Sequence, residues 1–494
     1  MIIFHLGKSV AQAMVTGALD SHSPWRVSGA IILNMQRSRI RAAVVILLLV
    51  LSIGAPIVYS GYSELKQAGT AGSYSEAAVH YKVAAQRIPW RADLYELSGH
   101  AYFHAKDYVG ADEMYRTAFE RKSLSPEGWA AWGDVNYLKE DPDRAVEIWM
   151  QALEQDAIDD GVYLRLGYAA QEKSDIFGAV NYYKKYASKK PEDAAAHYQL
   201  GLLLSLSDPA SASAELISAS QLDPRFDPAA QTLRTSLNLA LLTDAPSDRY
   251  LLIGRGLGLV EEWGLARAAF QSAVDSDKNN AEAWAWYGEA NQHAGLDGTG
   301  ELDRALELDP NSATVRGLRG LYFQRTANYR QALIEFQAAA SFEPENPARY
   351  VSLGDAYGRV GDLIRALEAY QYATTLAPEE PAYWRALALF CGQNVVHIDD
   401  VGIRAAQQAV ILDRGDSSNQ DVLGWLYLLE GQYADSELHM LEAVQMDPRD
   451  SSAHLHLGML YLQTGERDKA FEHLITARDL GDVRAKDLLV QYFP

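Results

Sequence analysis

The chain has 494 residues, 48% hydrophobic and 22% charged, and a net charge of −21. The apolar fraction is that of a folded protein, while the acidic excess argues against a nucleic-acid phosphate backbone as partner, which needs clustered Lys and Arg. Cys391 is the single cysteine, so neither an internal disulfide nor a Cys-based metal site can form.

Charge is unevenly placed. Residues 1–41 carry Lys8, Arg26, Arg37, Arg39 and Arg41 against Asp20, a local +4, which leaves −25 on the rest of the −21 chain. Residues 1–41 are expected to be a cytoplasmic N-terminal segment. Residues 1–34 show no repeat and no amphipathic period. Met35 opens a short basic head, so it reads as the true start, with 1–34 an upstream translation artefact or a disordered tail.

Residues 42–63 follow with no charge, from Ala42 to Ser63. The length suits a membrane-spanning helix. Its Leu, Ile and Val residues between Val44 and Val58 give on the order of −4 kcal/mol for insertion. Gly54 and Pro56 are tolerated in spans. Arg37, Arg39 and Arg41 precede the run, so the N-terminus is expected inside and the remainder outside. A cleaved leader is the alternative, with Val58-Tyr59-Ser60 as a passable cleavage site. The anchor is preferred because helical sequence continues without a polar linker.

From residue 64 the chain repeats itself. The clearest unit is Tyr350-x2-Leu353-Gly354-x2-Tyr357, then Ala366-x3-Tyr370-x2-Ala373-x4-Pro378. The same slots recur in Gly99 with Tyr115, Gly133 with Trp149, Gly167 with Tyr183, Gly254 with Phe270, Gly320 with Phe336 and Gly458 with Leu474. Leu200-Gly201 precedes Ala212 and Leu216 with one residue lost in the turn. Leu, Gly and Tyr at i, i+1 and i+4 share one face of a first helix. The glycine is expected to let two helix backbones approach, and the aromatic to fill the space between them. Ala, aromatic and Ala at i, i+4 and i+7 form the buried stripe of a second helix. Pro then ends it. A first repeat block covers 64–224. Residues 225–246 hold an extra helix or spacer, with Ala229 to Leu242 as the helix. A second block covers 247–480, and 481–494 reads as a capping helix, Asp482 to Tyr492. Terminal repeats need such a polar cap.

In every signature slot the unit resembles the tetratricopeptide repeat. The expected fold is therefore all-α: a right-handed α-solenoid of about twelve helix-turn-helix repeats after one N-terminal transmembrane helix. Members of this family hold protein ligands on the concave face lined by first helices. That resemblance places Glu96, His100, Phe103, Asp134, Tyr137, Tyr168, Tyr198, Glu289, Gln292, Asp355 and Trp425 on the face. Acidic and aromatic types mix there, which suits an extended peptide or a helix of a partner with basic and apolar character. Chaperone-binding members use Lys and Asn at these positions to grip a C-terminal carboxylate. Glu96 and His100, then Ala130 and Asp134, disfavour that role here.

No catalytic site, cofactor or metal is expected. Gly254-Arg255-Gly256-Leu257-Gly258 lacks the spacing of a phosphate loop and follows no strand. His454 and His456 point to different helix faces, and Cys391 fills an aromatic slot as a small core residue. The sequence points to a membrane-anchored scaffold for protein–protein interaction, single-pass, with the repeats outside the cytoplasm. The alternatives are an accessory subunit in export or assembly of surface polymers or pili, and, more remotely, a repeat-fused glycosyltransferase. Only 14 residues follow Leu480, too few for a catalytic domain.

Overall fold

The computed structural model describes residues 45, 48, 52–155 and 159–493, and every regular element among them is helical. Residues 1–41, and most of the first half of the proposed membrane span, lie outside the described residues. From 52 to 68 the chain is one helix, with Ile53, Ile57 and Tyr59 exposed. No helix among the described residues is long and apolar enough to cross a membrane. The far end of that helix packs on Tyr74–Arg87, where Glu64 pairs with His80 at 2.7 Å and Arg87 at 2.8 Å. The opening helix of the first repeat is thus continuous with the uncharged segment.

Thereafter helices come in pairs of 10–15 residues each, such as Asp93–His104 with Tyr108–Glu120, and Pro347–Arg359 with Leu363–Leu376. A three-residue turn joins the two members, and its chemistry is local. Lys106, Glu140, Ser174 and Gly361 each adopt the left-handed conformation (φ 60°, 62°, 60° and 85°). The next residue is Asp107, Asp141, Asp175 or Asp362. Its backbone N–H donates back to the carbonyl five residues earlier, at 2.8–3.0 Å, closing the first helix. Its carboxylate accepts the N–H three residues on, at 2.9–3.1 Å, opening the second. One residue therefore ends one helix and starts the next.

The two helices of a pair meet at the signature glycine. A Cβ on Gly354 would lie 2.8 Å from the ring of Tyr370, one on Gly254 2.5 Å from Phe270, and one on Gly320 2.7 Å from Phe336. The partner stands sixteen residues later in each case, and fifteen later for Gly201 with Leu216, where the first helix already ends at Leu204, so the lost residue comes out of that helix rather than the turn, where sequence had placed it. The glycine makes room for a side chain of the second helix. Close approach of two backbones, the expectation from sequence, is seen at other slots: a Cβ on Gly288 would lie 2.8 Å from the Gly298 carbonyl oxygen, and one on Gly424 3.1 Å from the Met440 nitrogen and the Ser436 carbonyl oxygen.

By compactness the chain divides into one unit ending at Lys190 and another beginning at Pro191. In the first, Tyr115, Trp129, Trp132 and Ile148 form one buried cluster and Trp149, Val162 and Leu166 the next. In the second unit, Asp227–Leu241 is a helix outside the pairing. It buries Ala230, Leu233, Leu237 and Ala240, and Ser236 and Leu233 lie against Gly256. Further along, Cys391 is fully buried between Leu387, Ile403 and Leu426. Burial, reinforced by Asp400, pushes its thiol pKa up to about 12. The longer turn of that pair contains one π-helical turn, Ile398–Gly402. A last helix, Val483–Tyr492, covers the final pair with Ala485 and Leu489, and Asp482 caps its start.

Candidate functional site

The face offered by the first helices carries the residues singled out from sequence, and most of them already have partners. In the first unit Glu96 is buried beneath the start of the next repeat. It accepts the Ser125 N–H at 2.8 Å and the Ser125 hydroxyl, with His100 Nε2 3.5 Å away. Burial opposes its charge, but the hydrogen bonds from His100 and Ser125 outweigh burial and hold its pKa below the usual carboxylate range. His100 also meets the Tyr115 hydroxyl at 2.8 Å. Phe103 is half-buried against Tyr108, ring centres 6.2 Å apart.

Asp134 receives a two-pronged bond from Arg165, Nε at 2.6 Å and Nη2 at 2.8 Å. Burial works against the Arg165 charge, and Asp134 more than restores it. Tyr137 and Tyr168 keep open ring surface, 37% and 48% exposed. The Tyr137 hydroxyl donates to Glu172 at 2.5 Å, and Tyr168 stands edge-on to Tyr183 at 5.7 Å.

In the second unit Tyr198 is buried and stacked on Phe226 at 4.9 Å. Glu289 is 3% exposed and held by both arms of Arg325, one at 2.8 Å. The same guanidinium reaches Gln292 Oε1 at 3.0 Å. Asp355 is exposed and accepts the Tyr370 hydroxyl. Trp425 lies flat against His456, ring centres 5.3 Å apart, and His456 is bonded to Asp421 at 2.8 Å. Trp425 walls a cleft of about 450 Å³ over three consecutive first helices, with Arg385, Asp421, Asp450, His456 and Arg484 around it. Arg385 pairs with Asp416 and Asn419, and Arg484 with Asp482.

The acidic character expected of this face is therefore largely matched within the protein. Glu96, Asp134 and Glu289 stitch one first helix to the next, which removes the ground for expecting a basic partner at those positions. Sequence reasoning missed the cations that do this, Arg165, Arg325 and Arg385. A signal was present: each pair is separated by 31 to 36 residues, one repeat length. The two histidines behave as expected of different faces. His454 meets His473 at 2.9 Å, while His456 meets Asp421. Among the described residues no three His, Cys, Asp or Glu side chains could share a metal ion.

Residues 422–481 match the family model of the tetratricopeptide repeat. The same glycine, ring and cap positions recur in the pairs before that window, which supports reading the chain as a tetratricopeptide-repeat protein. Among solved structures it is similar to yeast Tom70, at 15% identity over 90% of this chain and 95% of that one (TM-score 0.41). It is also similar to the APC/C hetero-tetramer Cut9-Hcn1, at 15% identity over 91% and 98% (TM-score 0.38). A third is a tetratricopeptide repeat protein from Parabacteroides merdae, at 13% over 50% and 98% (TM-score 0.41). No curated protein sequence matches the chain.

Proposed function

We propose that this protein is a membrane-anchored scaffold that holds other proteins on the first-helix face of its repeats, with those repeats outside the cytoplasm. Tetratricopeptide-repeat proteins mediate protein–protein interaction and scaffolding. The observation that carries the reading to this chain is the state of Tyr137, Tyr168 and Trp425. Each sits on a first helix with part of its ring open, among charges already matched by neighbours. Aromatic rings that are held in place yet open to a partner are the usual anchors of an interface. The uncharged run 42–63 behind Arg37, Arg39 and Arg41 supports the anchor and its orientation.

Replacing Tyr137, Tyr168 and Trp425 with Ala in the full, membrane-extracted chain tests the surface. Capture of cross-linked partners is expected to fall several-fold with helicity unchanged, and Lys184→Ala to change nothing. Equal capture by the triple variant sinks the first-helix face as the binding surface. A reporter at the C-terminus is expected to work only if it is of the type active outside the membrane, and a cytoplasmic C-terminus sinks the topology.

A further inference from the structure

Resting on the reading of the first-helix face as a partner surface, we propose that a second cleft, in the unit that begins at Pro191, binds an acidic, partly apolar segment of a partner protein through Arg255, Trp286 and Arg349. The cleft measures about 230 Å³ and spans four consecutive first helices, Pro246–Leu259, Ala281–His293, Ala313–Arg325 and Pro347–Arg359. Trp286, Leu318, Leu321 and Phe336 form an apolar floor, Arg255 and Arg349 flank it, and no Asp or Glu lines it. In a chain of net charge −21 that is a local reversal of sign.

Arg255 differs from its neighbours, and Arg349 is ion-paired through Nε alone. Arg316 and Arg325 end on Glu335 and Glu289, and Arg319 on Asp303 and Glu335. Arg255 is exposed, lies 5.6 Å over the Trp286 ring, and among the described residues makes no hydrogen bond or ion pair. Arg349 donates Nε to Glu343 at 2.8 Å and Nη2 to Thr314 at 3.4 Å, which leaves Nη1 with no acceptor among the described residues. Gly317 keeps space beside that nitrogen, since a Cβ there would lie 2.9 Å from it. The indole N–H of Trp286 is buried without an acceptor, although buried donors are rarely left so. Two guanidinium groups thus flank an apolar floor whose other polar lining residues are the hydroxyl-bearing Thr314 and Ser352, with no carboxylate among them.

A carboxylate supplies an acceptor to Arg255 and to the Nη1 of Arg349, and bonds between charged partners are the stronger kind. A neighbouring apolar side chain covers Trp286 and Leu321, whose surface is 37% open. The cleft runs along successive helices, so the segment passes across it, and the carboxylate belongs to an internal Glu or Asp beside a Phe or Leu. A basic segment would bring like charge against Arg255 and Arg349.

Fluorescence anisotropy on the full chain tests this with dye-labelled, C-terminally amidated hexapeptides carrying two glutamates around a phenylalanine. Matched peptides carry glutamine or lysine in place of glutamate, and a further one carries a free terminal carboxylate with no internal acid. The glutamate peptide is expected to bind saturably and to weaken with salt. The glutamine peptide, and the glutamate peptide on Arg255→Glu, are expected to bind at least about tenfold more weakly. Arg255 holds no other residue by a hydrogen bond or ion pair, so its replacement is expected to leave circular dichroism unchanged, and Arg255→Lys to recover part of the affinity. Equal or better binding of the lysine peptide, binding only of the free-acid peptide, or unchanged affinity on Arg255→Glu each overturns the proposal. Binding by none of the peptides overturns it too. If partner capture still depends on Tyr137, Tyr168 and Trp425 in that case, the scaffold reading survives without this cleft.

Discussion

The joint inside a helix pair and the joint between successive pairs are made of different materials. Within the pair 347–376, Gly354 makes room for the ring of Tyr370, whose hydroxyl donates to Asp355 on the same first helix, and the sixteen-residue spacing recurs for Gly254 with Phe270 and Gly320 with Phe336. Between Ala281–His293 and Ala313–Arg325, a carboxylate that is 3% exposed is clamped by Arg325. The equivalent seam elsewhere uses Asp134 with Arg165, or Asp421 with His456. The inner joint is mainly steric and keeps nearly the same spacing, whereas the outer one is mainly polar and changes its chemistry from seam to seam. Constancy inside a pair makes each unit fold the same way. Variation between pairs lets each unit recognise its own successor, since a wrong neighbour leaves a buried charge unmatched.

The largest effect is expected where the outer joint is broken on one side. Arg325→Met leaves Glu289 buried with only His293, 3.3 Å away, beside its carboxylate, at a cost of about 3 kcal/mol. Because these arrays unfold by neighbouring units, hydrogen exchange of helices 281–293 and 313–325 measures it better than a single melting temperature. The double variant Glu289→Leu with Arg325→Met removes both charges and is expected to regain most of the loss. If the double variant is no better than the single, the seam is held by packing and the contrast between the two joints fails.

Breaking the inner joint comes next. Gly354→Phe drives a ring into Tyr370, and overpacking of this kind costs about 1–3 kcal/mol. Exchange in 347–359 and 363–376 is expected to report the loss. Tolerance of the phenylalanine means that the glycine slot is not the contact described.

This contrast also marks what the sequence could reveal. The inner joint is written in residue types at fixed spacing, so Gly354, Tyr370 and their counterparts were legible, down to the lost residue between Gly201 and Leu216. The helix at 227–241 was legible from its apolar period. The outer joint is written as complementarity between units, and a single repeat looks merely acidic at Glu96, Asp134 or Glu289. Their pairing depends on what stands one repeat later: Ser125 for Glu96, Arg165 for Asp134 and Arg325 for Glu289. For the same reason the cleft at Arg255, Trp286 and Arg349 was invisible, since its residues come from different repeats and only their convergence distinguishes them. Arg255 had drawn notice only as part of a glycine run.

A gentler probe of the outer joint is acid. The Glu96 pKa is held below its ordinary value by His100 and Ser125 against the opposing effect of burial. A depressed carboxylate contributes stability that is present above its unfolded pKa, about 4.3, and is lost as pH falls through the folded value. Exchange in Asp93–His104 and Pro126–Leu138 is expected to speed up below about pH 4 in the wild type. In Glu96→Gln it is expected to be faster already at pH 7 and flatter with pH. An unchanged acid response in Glu96→Gln assigns the effect to other carboxylates.

The smallest effect should be a gain, and it separates the turn from both joints. Ala327 sits between the two helices of its pair at φ 58°, where Glu140 and Ser174 stand elsewhere and where Gly361 appears in the pair 347–376. An L-residue held there carries about 1 kcal/mol of strain, and glycine carries none, although it makes the unfolded chain more flexible. Asn328 still closes the first helix, with its N–H on the Phe323 carbonyl at 2.8 Å, and still opens the second by accepting from Gln331. Neither joint is touched, because Ala327 is exposed. Ala327→Gly is therefore expected to slow local opening of 313–342 by a few-fold without altering the pH dependence or the effect of Arg325→Met. A measurable loss instead would mean that the flexibility of the unfolded turn outweighs the relief of strain, and that the alanine is the better residue for this position.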